Sequence, residues 1–148
     1  HVTEHSFPTR RSSDLTGLAI VAKQRLGDAE VDAFSVVGDV KGCDVIMVDD
    51  MTTTCGTLCA AAKILKEQGA ASIRAAVTHM PLTDKGVQRL QADTGLTELV
   101  VTDTVPLREG LDSAAIPVKL TVLSVADLLG EAIRRIHNDQ SVSSLFRY

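Results

Sequence analysis

From Thr16 onward, short apolar runs alternate with stripes of apolar residues at helical spacing. GLAIVA (residues 17–22) is an apolar run suited to a buried strand, and Asp44–Val48 (DVIMV) is a second. Ile73–Thr78, Leu99–Val101 and Val118–Leu123 continue the series. The mixed run VDAFSVVGDV, Val31 to Val40, is closed by Lys41-Gly42 and predicts a small antiparallel excursion.

Helical patterns fill the gaps. After Gly56, Leu58, Ala61, Ala62 and Leu65 recur at helical spacing opposite Lys63, Lys66 and Glu67, and Gly69 supplies a stop. Val125, Leu128, Leu129, Ala132, Ile133 and Ile136 form the apolar stripe of a last helix, for which Ser124 and Asp127 offer a capping-box-like start. Strands alternating with helices predict an α/β fold: a largely parallel sheet with helices on both faces and ligands bound beyond the carboxyl ends of the strands. The chemistry is therefore expected where Val48 hands over to Asp49.

Residues 1–15 (HVTEHSFPTRRSSDL) are polar and without sustained periodicity, so they are expected to be a disordered tail, and SFPTRRSSDL resembles translated adapter sequence with no biological role. The folded domain is expected to span residues 16–148. The opening HVTEH matches the H-x-x-E-H pattern of inverted zinc peptidases, but that chemistry needs both histidines on one face of a buried helix, and here Pro8 follows at once.

Composition narrows the function. Hydrophobic residues make up 45% of the 148 positions, enough for one domain with a substantial core. A net charge of −4 with 3% aromatic residues leaves neither the basic field nor the stacking platforms that nucleic-acid binding uses. No apolar run approaches a bilayer span and no basic-then-apolar leader opens the chain, so a cytoplasmic protein without membrane association is expected. Cys43, Cys55 and Cys59 lack a C-x-x-C pair and read as small buried or helix-face thiols.

The segment VIMVDDMTTTCGTLCAAAKIL places two carboxylates after a buried strand, then threonines and one glycine, then an amphipathic helix. Unpaired N–H groups at the helix start, with the positive end of its dipole, favour a phosphate. Gly56 allows close backbone approach, and the Thr54 and Thr57 hydroxyls add donors. Phosphate alone has no use for Asp49 and Asp50, which would repel it. A ribose fits them, because carboxylates accept hydrogen bonds from vicinal hydroxyls or hold Mg²⁺ that bridges those hydroxyls. Capping of the helix by Asp50 or Thr54 is the plainer alternative, and it leaves the rest of the string unexplained.

VDDMTTTCGT resembles the phosphoribosyl-binding loop of the type I phosphoribosyltransferase fold. The chain from Leu18 resembles, more narrowly, the C-terminal half of phosphoribosyl diphosphate synthetases (ribose-phosphate diphosphokinases): VVGDVKG, THMPLT, VVTDTVPL, LSVADLLGEAIRRIH and SVSSLF stand in that family's order. The resemblance implies Mg²⁺-dependent transfer of the β,γ-diphosphoryl group of ATP to the 1-hydroxyl of ribose 5-phosphate, in nucleotide biosynthesis. It implies that Asp49 and Asp50 bind the ribose hydroxyls, with Mg²⁺ held through them, and that Thr53, Thr54, Cys55, Gly56 and Thr57 wrap the 5-phosphate. The family carries a third acid where Thr53 stands, and a hydroxyl there cannot act as a base or charged ligand.

Upstream, AIVAKQRLGD matches Lys23 and Arg25 to a lysine and an arginine of the family's mobile loop. Cations so placed stabilise charge on a migrating phosphoryl group, and at i and i+2 of an extended chain both point the same way. Ala22 and Gln24 depart from the acidic and basic residues common there. Ser141, Ser143 and Ser144 match an ending that contributes to a regulatory phosphate or ADP site between subunits; a polar C-terminal cap is the alternative. His79 reads equally as a site-rim residue or a satisfied strand-end histidine, and His137 as a cation at a helix end. The family assembles as hexamers built from dimers, so a homo-oligomer is expected. Because the adenine-binding residues lie in the family's N-terminal half, the chain is read as a ribose-5-phosphate-binding piece that does not turn over alone. Two other readings stay open: a non-catalytic, synthetase-associated regulatory subunit, and a phosphoribosyltransferase.

Overall fold

The computed structural model describes residues 17–25, 32–92, 94–108 and 116–146. The 1–15 tail lies outside them, as does HVTEH.

Two sheets are present among the described residues. β1 (Ile20–Arg25) and β2 (Asp32–Val37) form an antiparallel pair with Ile20 opposite Val37 and Arg25 opposite Asp32. β3 (Asp44–Met51), β4 (Ser72–His79), β5 (Glu98–Thr102) and β6 (Lys119–Leu123) lie side by side in that order, all parallel. The excursion expected between Val31 and Val40 is thus β2. GLAIVA differs from its expectation: it pairs only with β2 among the described strands, and Leu18 and Ile20 are exposed rather than buried. Apolar composition marks a segment for burial without naming the surface that buries it.

α1 (Gly56–Glu67) crosses from β3 to β4, and α2 (Asp84–Gln91) from β4 to β5. Successive right-handed crossovers in one direction put both helices on one face of the sheet. That face is the core: Leu58, Ala62 and Leu65 of α1 pack with Ile73, Ala75 and Val77 of β4, and with Leu99 and Val101 of β5, each under 6% exposed. α1 stops as its sequence predicts. Gly69 adopts φ 90°, Gly69 N–H donates to Lys66 O at 3.0 Å, and Ala70 N–H donates to Leu65 O at 3.1 Å. These two bonds satisfy the last carbonyls in a Schellman arrangement.

The opposite face of β3 is open, with Ile46 and Val48 exposed. α3 (Ala126–His137) follows β6, and its stripe, Leu128, Leu129, Ile133 and Ile136, is also exposed. Its start departs from the capping-box expectation: Val125 is the cap residue, its N–H donates to Asp103 Oδ1 at 2.9 Å, and Ser124 Oγ accepts from Ala126 N–H at 3.3 Å. A hydrogen bond from the Ser124 hydroxyl, and after it the one from Val125 N–H, holds the Asp103 carboxyl below the ordinary aspartate value. No helix among the described residues is long and apolar enough to cross a membrane.

Candidate functional site

β3 runs three residues past the apolar stretch, because Asp49 and Met51 stay in register with Val77 and His79 of β4. The two carboxylates therefore sit on the last turn of a strand rather than in a loop. Asp49 is half-buried and lines, with Thr57 and Leu58 of α1, a cavity of ≈ 510 Å³. Val21 of β1 and Val45 and Met47 of β3 form its apolar walls. Asp50 is exposed, and its N–H donates to Asp49 Oδ1 at 2.9 Å. Partial burial pushes the Asp49 carboxyl above the ordinary aspartate value; the Asp50 carboxylate pushes the same way, against the lowering effect of the Asp50 N–H.

Beyond Met51 the chain turns through Thr52–Cys55 into α1. Thr52 is buried and its N–H donates to His79 O at 2.9 Å, so the turn stays tied to the end of β4. Cys55 is fully buried and occupies the left-handed region at φ 52°, a conformation uncommon for a residue with a side chain. It stands at the cap position of α1 with no side-chain cap bond, and no acid lies in the first turn. The helix's first backbone bond is Cys59 N–H to Cys55 O at 2.9 Å, and the N–H groups of Gly56, Thr57 and Leu58 have no acceptor among the described residues. Those donors, with the helix dipole, make the loop mouth electropositive.

The loop's carbonyls face the other way, into α2. Thr53 O accepts from Thr83 N–H at 3.0 Å and from Thr83 Oγ1 at 3.2 Å, and Thr54 O accepts from Arg89 Nη1 at 2.8 Å. Thr83 also caps α2, accepting from Gly86 N–H at 3.3 Å. A Cβ on Gly56 would come 2.6 Å from Arg89 Nη1, so glycine at the head of α1 is set by a close approach and not by its φ. The sequence reading missed α2 and Arg89: α2 is eight residues long with a glycine inside, and Arg89 is 35 residues from the carbonyl it holds. The local signals were Thr83 ahead of Asp84, a capping pattern, and Val87 and Leu90 at helical spacing on the packed side.

Asp49, Asp50 and Thr53–Thr57 are thus contiguous in space as well as in sequence, while Lys23 and Arg25 are placed only by backbone. They lie on β1 opposite Phe34 and Asp32, and their side chains lie outside the described residues. His79 is satisfied: its Nδ1 is 2.7 Å from Thr104 Oγ1. Cys43 departs from the expected buried or helix-face thiol, being exposed ahead of β3, whereas burial pushes the Cys55 thiol up and the Cys59 thiol to about 11. The C-terminal serines gather around Arg135, which donates from Nη1 to Ser141 O at 3.2 Å and to Ser144 Oγ; Ser143 N–H donates to Ser141 Oγ at 3.2 Å. No group of three or more His, Cys, Asp or Glu side chains among the described residues could hold a metal ion. The Asp49–Asp50 pair fits an Mg²⁺ held partly through substrate oxygens, since that ion commonly takes one or two carboxylates and completes its shell elsewhere.

A family model described as the phosphoribosyl synthetase-associated domain matches residues 2–147. A ribose-phosphate pyrophosphokinase from Gloeobacter violaceus is 49% identical over 130 residues, covering 88% of this chain and 38% of that protein. One from Nitrosomonas europaea is 46% identical over 129 residues, covering 87% and 40% respectively. Among solved structures, phosphoribosylpyrophosphate synthetase from Mycobacterium smegmatis superposes with a TM-score of 0.68 at 40% identity, covering 82% of this chain and 37% of that one. The chain thus spans about two fifths of the length of the curated relatives it matches.

Proposed function

This chain belongs to the phosphoribosyl synthetase-associated domain family, and from that premise we propose that it forms the ribose-5-phosphate-binding part of a ribose-phosphate diphosphokinase. The observation that carries the proposal is the β3–α1 turn, in which two carboxylates at a strand end adjoin first-turn N–H groups that have no acceptor among the described residues. A sugar phosphate offers both complements: hydroxyls for the carboxylates and a dianion for the donors.

In this reading Gly56 and Thr57, with Thr53, Thr54 and Cys55, wrap the 5-phosphate while Asp49 and Asp50 take the ribose hydroxyls. That positioning holds the 1-hydroxyl for attack on the β-phosphorus of ATP, and positioning is a large part of phosphoryl-transfer catalysis. A bound Mg²⁺ would sit at Asp49 and Asp50 through the ribose oxygens and would supply charge neutralisation. Lys23 and Arg25 would carry the cationic stabilisation of the migrating group. Ser141, Ser143 and Ser144, gathered at Arg135, would serve a regulatory phosphate or ADP between subunits of a homo-oligomer. ATP, a cytoplasmic setting and a hexamer belong to the same proposal and rest on the family.

Titration of the chain with ribose 5-phosphate, with and without Mg²⁺, tests the binding claim: the expected result is binding that falls at least about tenfold in Asp50→Asn, the size of one lost charge-assisted contact. Unchanged binding in that variant would remove the ribose assignment. AMP release from ATP and ribose 5-phosphate tests the activity; it is expected from the full-length protein and lost in its Lys23→Ala variant.

One observation favours a second reading. Thr53 places an exposed hydroxyl where the resemblance implies a third acid, which suits a synthetase-associated regulatory subunit. An active full-length protein sensitive to Lys23→Ala would exclude it, and nucleotide formation from a free nucleobase and phosphoribosyl diphosphate would instead indicate a phosphoribosyltransferase.

A further inference from the structure

The guanidinium of Arg89 has one recorded partner, the Thr54 carbonyl, and no carboxylate pairs with it among the described residues. It is half-buried, and it lies against Gly56 at the head of α1. A cation held at a helix N-terminus opposes the positive end of the dipole. The fold keeps it in this unfavourable place with no paired carboxylate among the described residues, which points to a counter-charge that arrives with a ligand.

The geometry of the grip gives it a second consequence. In a trans peptide the C=O of one residue and the N–H of the next point in opposite directions. With the Thr53 carbonyl held by Thr83 and the Thr54 carbonyl by Arg89, the N–H groups of Thr54 and Cys55 are turned away from α2. Cys55 in the left-handed region then carries the chain into the first turn of α1. Successive N–H groups through such a reversal form a concave donor nest for an anion.

We propose that Arg89 is a positioning residue of the phosphate loop: it turns the Thr54–Cys55 peptide so that its N–H faces the bound phosphate, and its charge offsets the second negative charge of a phosphate monoester. This rests on the phosphate reading of the β3–α1 turn and adds to it a residue from a different element. The preferred ligand form is the dianion.

The test uses the 148-residue chain, with ribose 5-phosphate and inorganic phosphate as separate probes, and the variants Arg89→Met and Arg89→Lys. Calorimetric affinity is measured from pH 5 to 8, across the second ionisation of a phosphate monoester near about pH 6. Wild type is expected to bind more tightly as the monoester becomes a dianion. Arg89→Met is expected to bind at least about tenfold more weakly at pH 8 and to lose most of that pH step, with Arg89→Lys intermediate; a purely structural role would weaken binding without flattening the step. If Arg89→Met does not fold, the lysine variant decides, since it keeps the charge and loses the planar contact to Thr54. Equal affinity and an equal pH step in wild type and the folded variants would overturn the role of Arg89 and leave the site standing. Binding of inorganic phosphate that depends on Arg89, with no preference for ribose 5-phosphate, would overturn the ribose reading and keep Arg89. Binding of neither probe would overturn both.

Discussion

At the scale of single residues, the loop is built from side chains with little freedom to change. At Gly56 a Cβ would meet the Arg89 guanidinium, the far end of a long side chain, which would have to swing aside. Gly56→Ala is expected to lower unfolding stability by about 0.5–1.5 kcal/mol, the net worth of the Arg89–Thr54 hydrogen bond that a displaced guanidinium gives up, read as a shift of the urea midpoint. The loss should shrink when Arg89 is also removed, because the two residues share one contact and a double-mutant cycle detects that. The cysteines divide in the same way. Cys43 is exposed, Cys55 is buried, and the Cys59 thiol, at about 11, stays protonated at neutral pH. A thiol reagent at pH 7.5 should therefore label Cys43 rapidly and the other two only on unfolding. Fast labelling at all three would mean that the head of α1 opens readily.

Among the elements, α2 shows how a short helix with little sequence signal can decide a site. Its Thr83 cap satisfies both its own Gly86 N–H and the Thr53 carbonyl, so forming the helix and shaping the loop are one event. α3 holds itself differently, through Glu131. Arg134 donates to it from Nε and Nη2 at 2.8 Å each, and Arg135 from Nε at 2.6 Å. These bonds, Arg134 first, lower the Glu131 carboxyl from 4.5 to about 2. A depressed carboxylate stabilises the folded state above the ordinary value of 4.5, and that stabilisation is lost as pH falls toward about 2. Because the group is partly open to solvent, the effect is small. It should appear as a loss of α3 helicity and of the Arg135–Ser144 contact between those pH values, followed by residue-resolved NMR. Glu131→Gln should abolish the pH dependence; an unchanged titration in that variant would exclude this ion pair as its source.

For the whole molecule, the dominant feature is apolar surface left open on the sheet and on α3. Val48 is 81% exposed, Ile133 68% and Ile46 67%, while α1 and α2 bury the other face of the same sheet. Exposed apolar area of this kind drives association. The chain is expected to self-associate in a concentration-dependent way in sedimentation experiments, and a Val48→Lys, Ile133→Lys double variant should weaken that association by at least about tenfold, or 1.4 kcal/mol. A monomeric wild type at high concentration would contradict this. The alternation of apolar runs and helical stripes located the described strands, except for the Lys23–Arg25 end of β1, together with both long helices and the strand–loop–helix site, because each follows from a period within one segment. Family likeness was legible too, since the loop residues Asp49–Thr57 are contiguous. What the tertiary structure alone decided was relational: that β1 pairs with β2 outside the parallel sheet, that the strand under Asp49 and Asp50 runs on to Met51, and that Arg89 reaches back 35 residues to turn the Thr54 carbonyl. Local patterning specifies which face of a segment seeks burial; which partner buries it, and which peptide a distant guanidinium holds, depends on the crossovers that bring separate segments together.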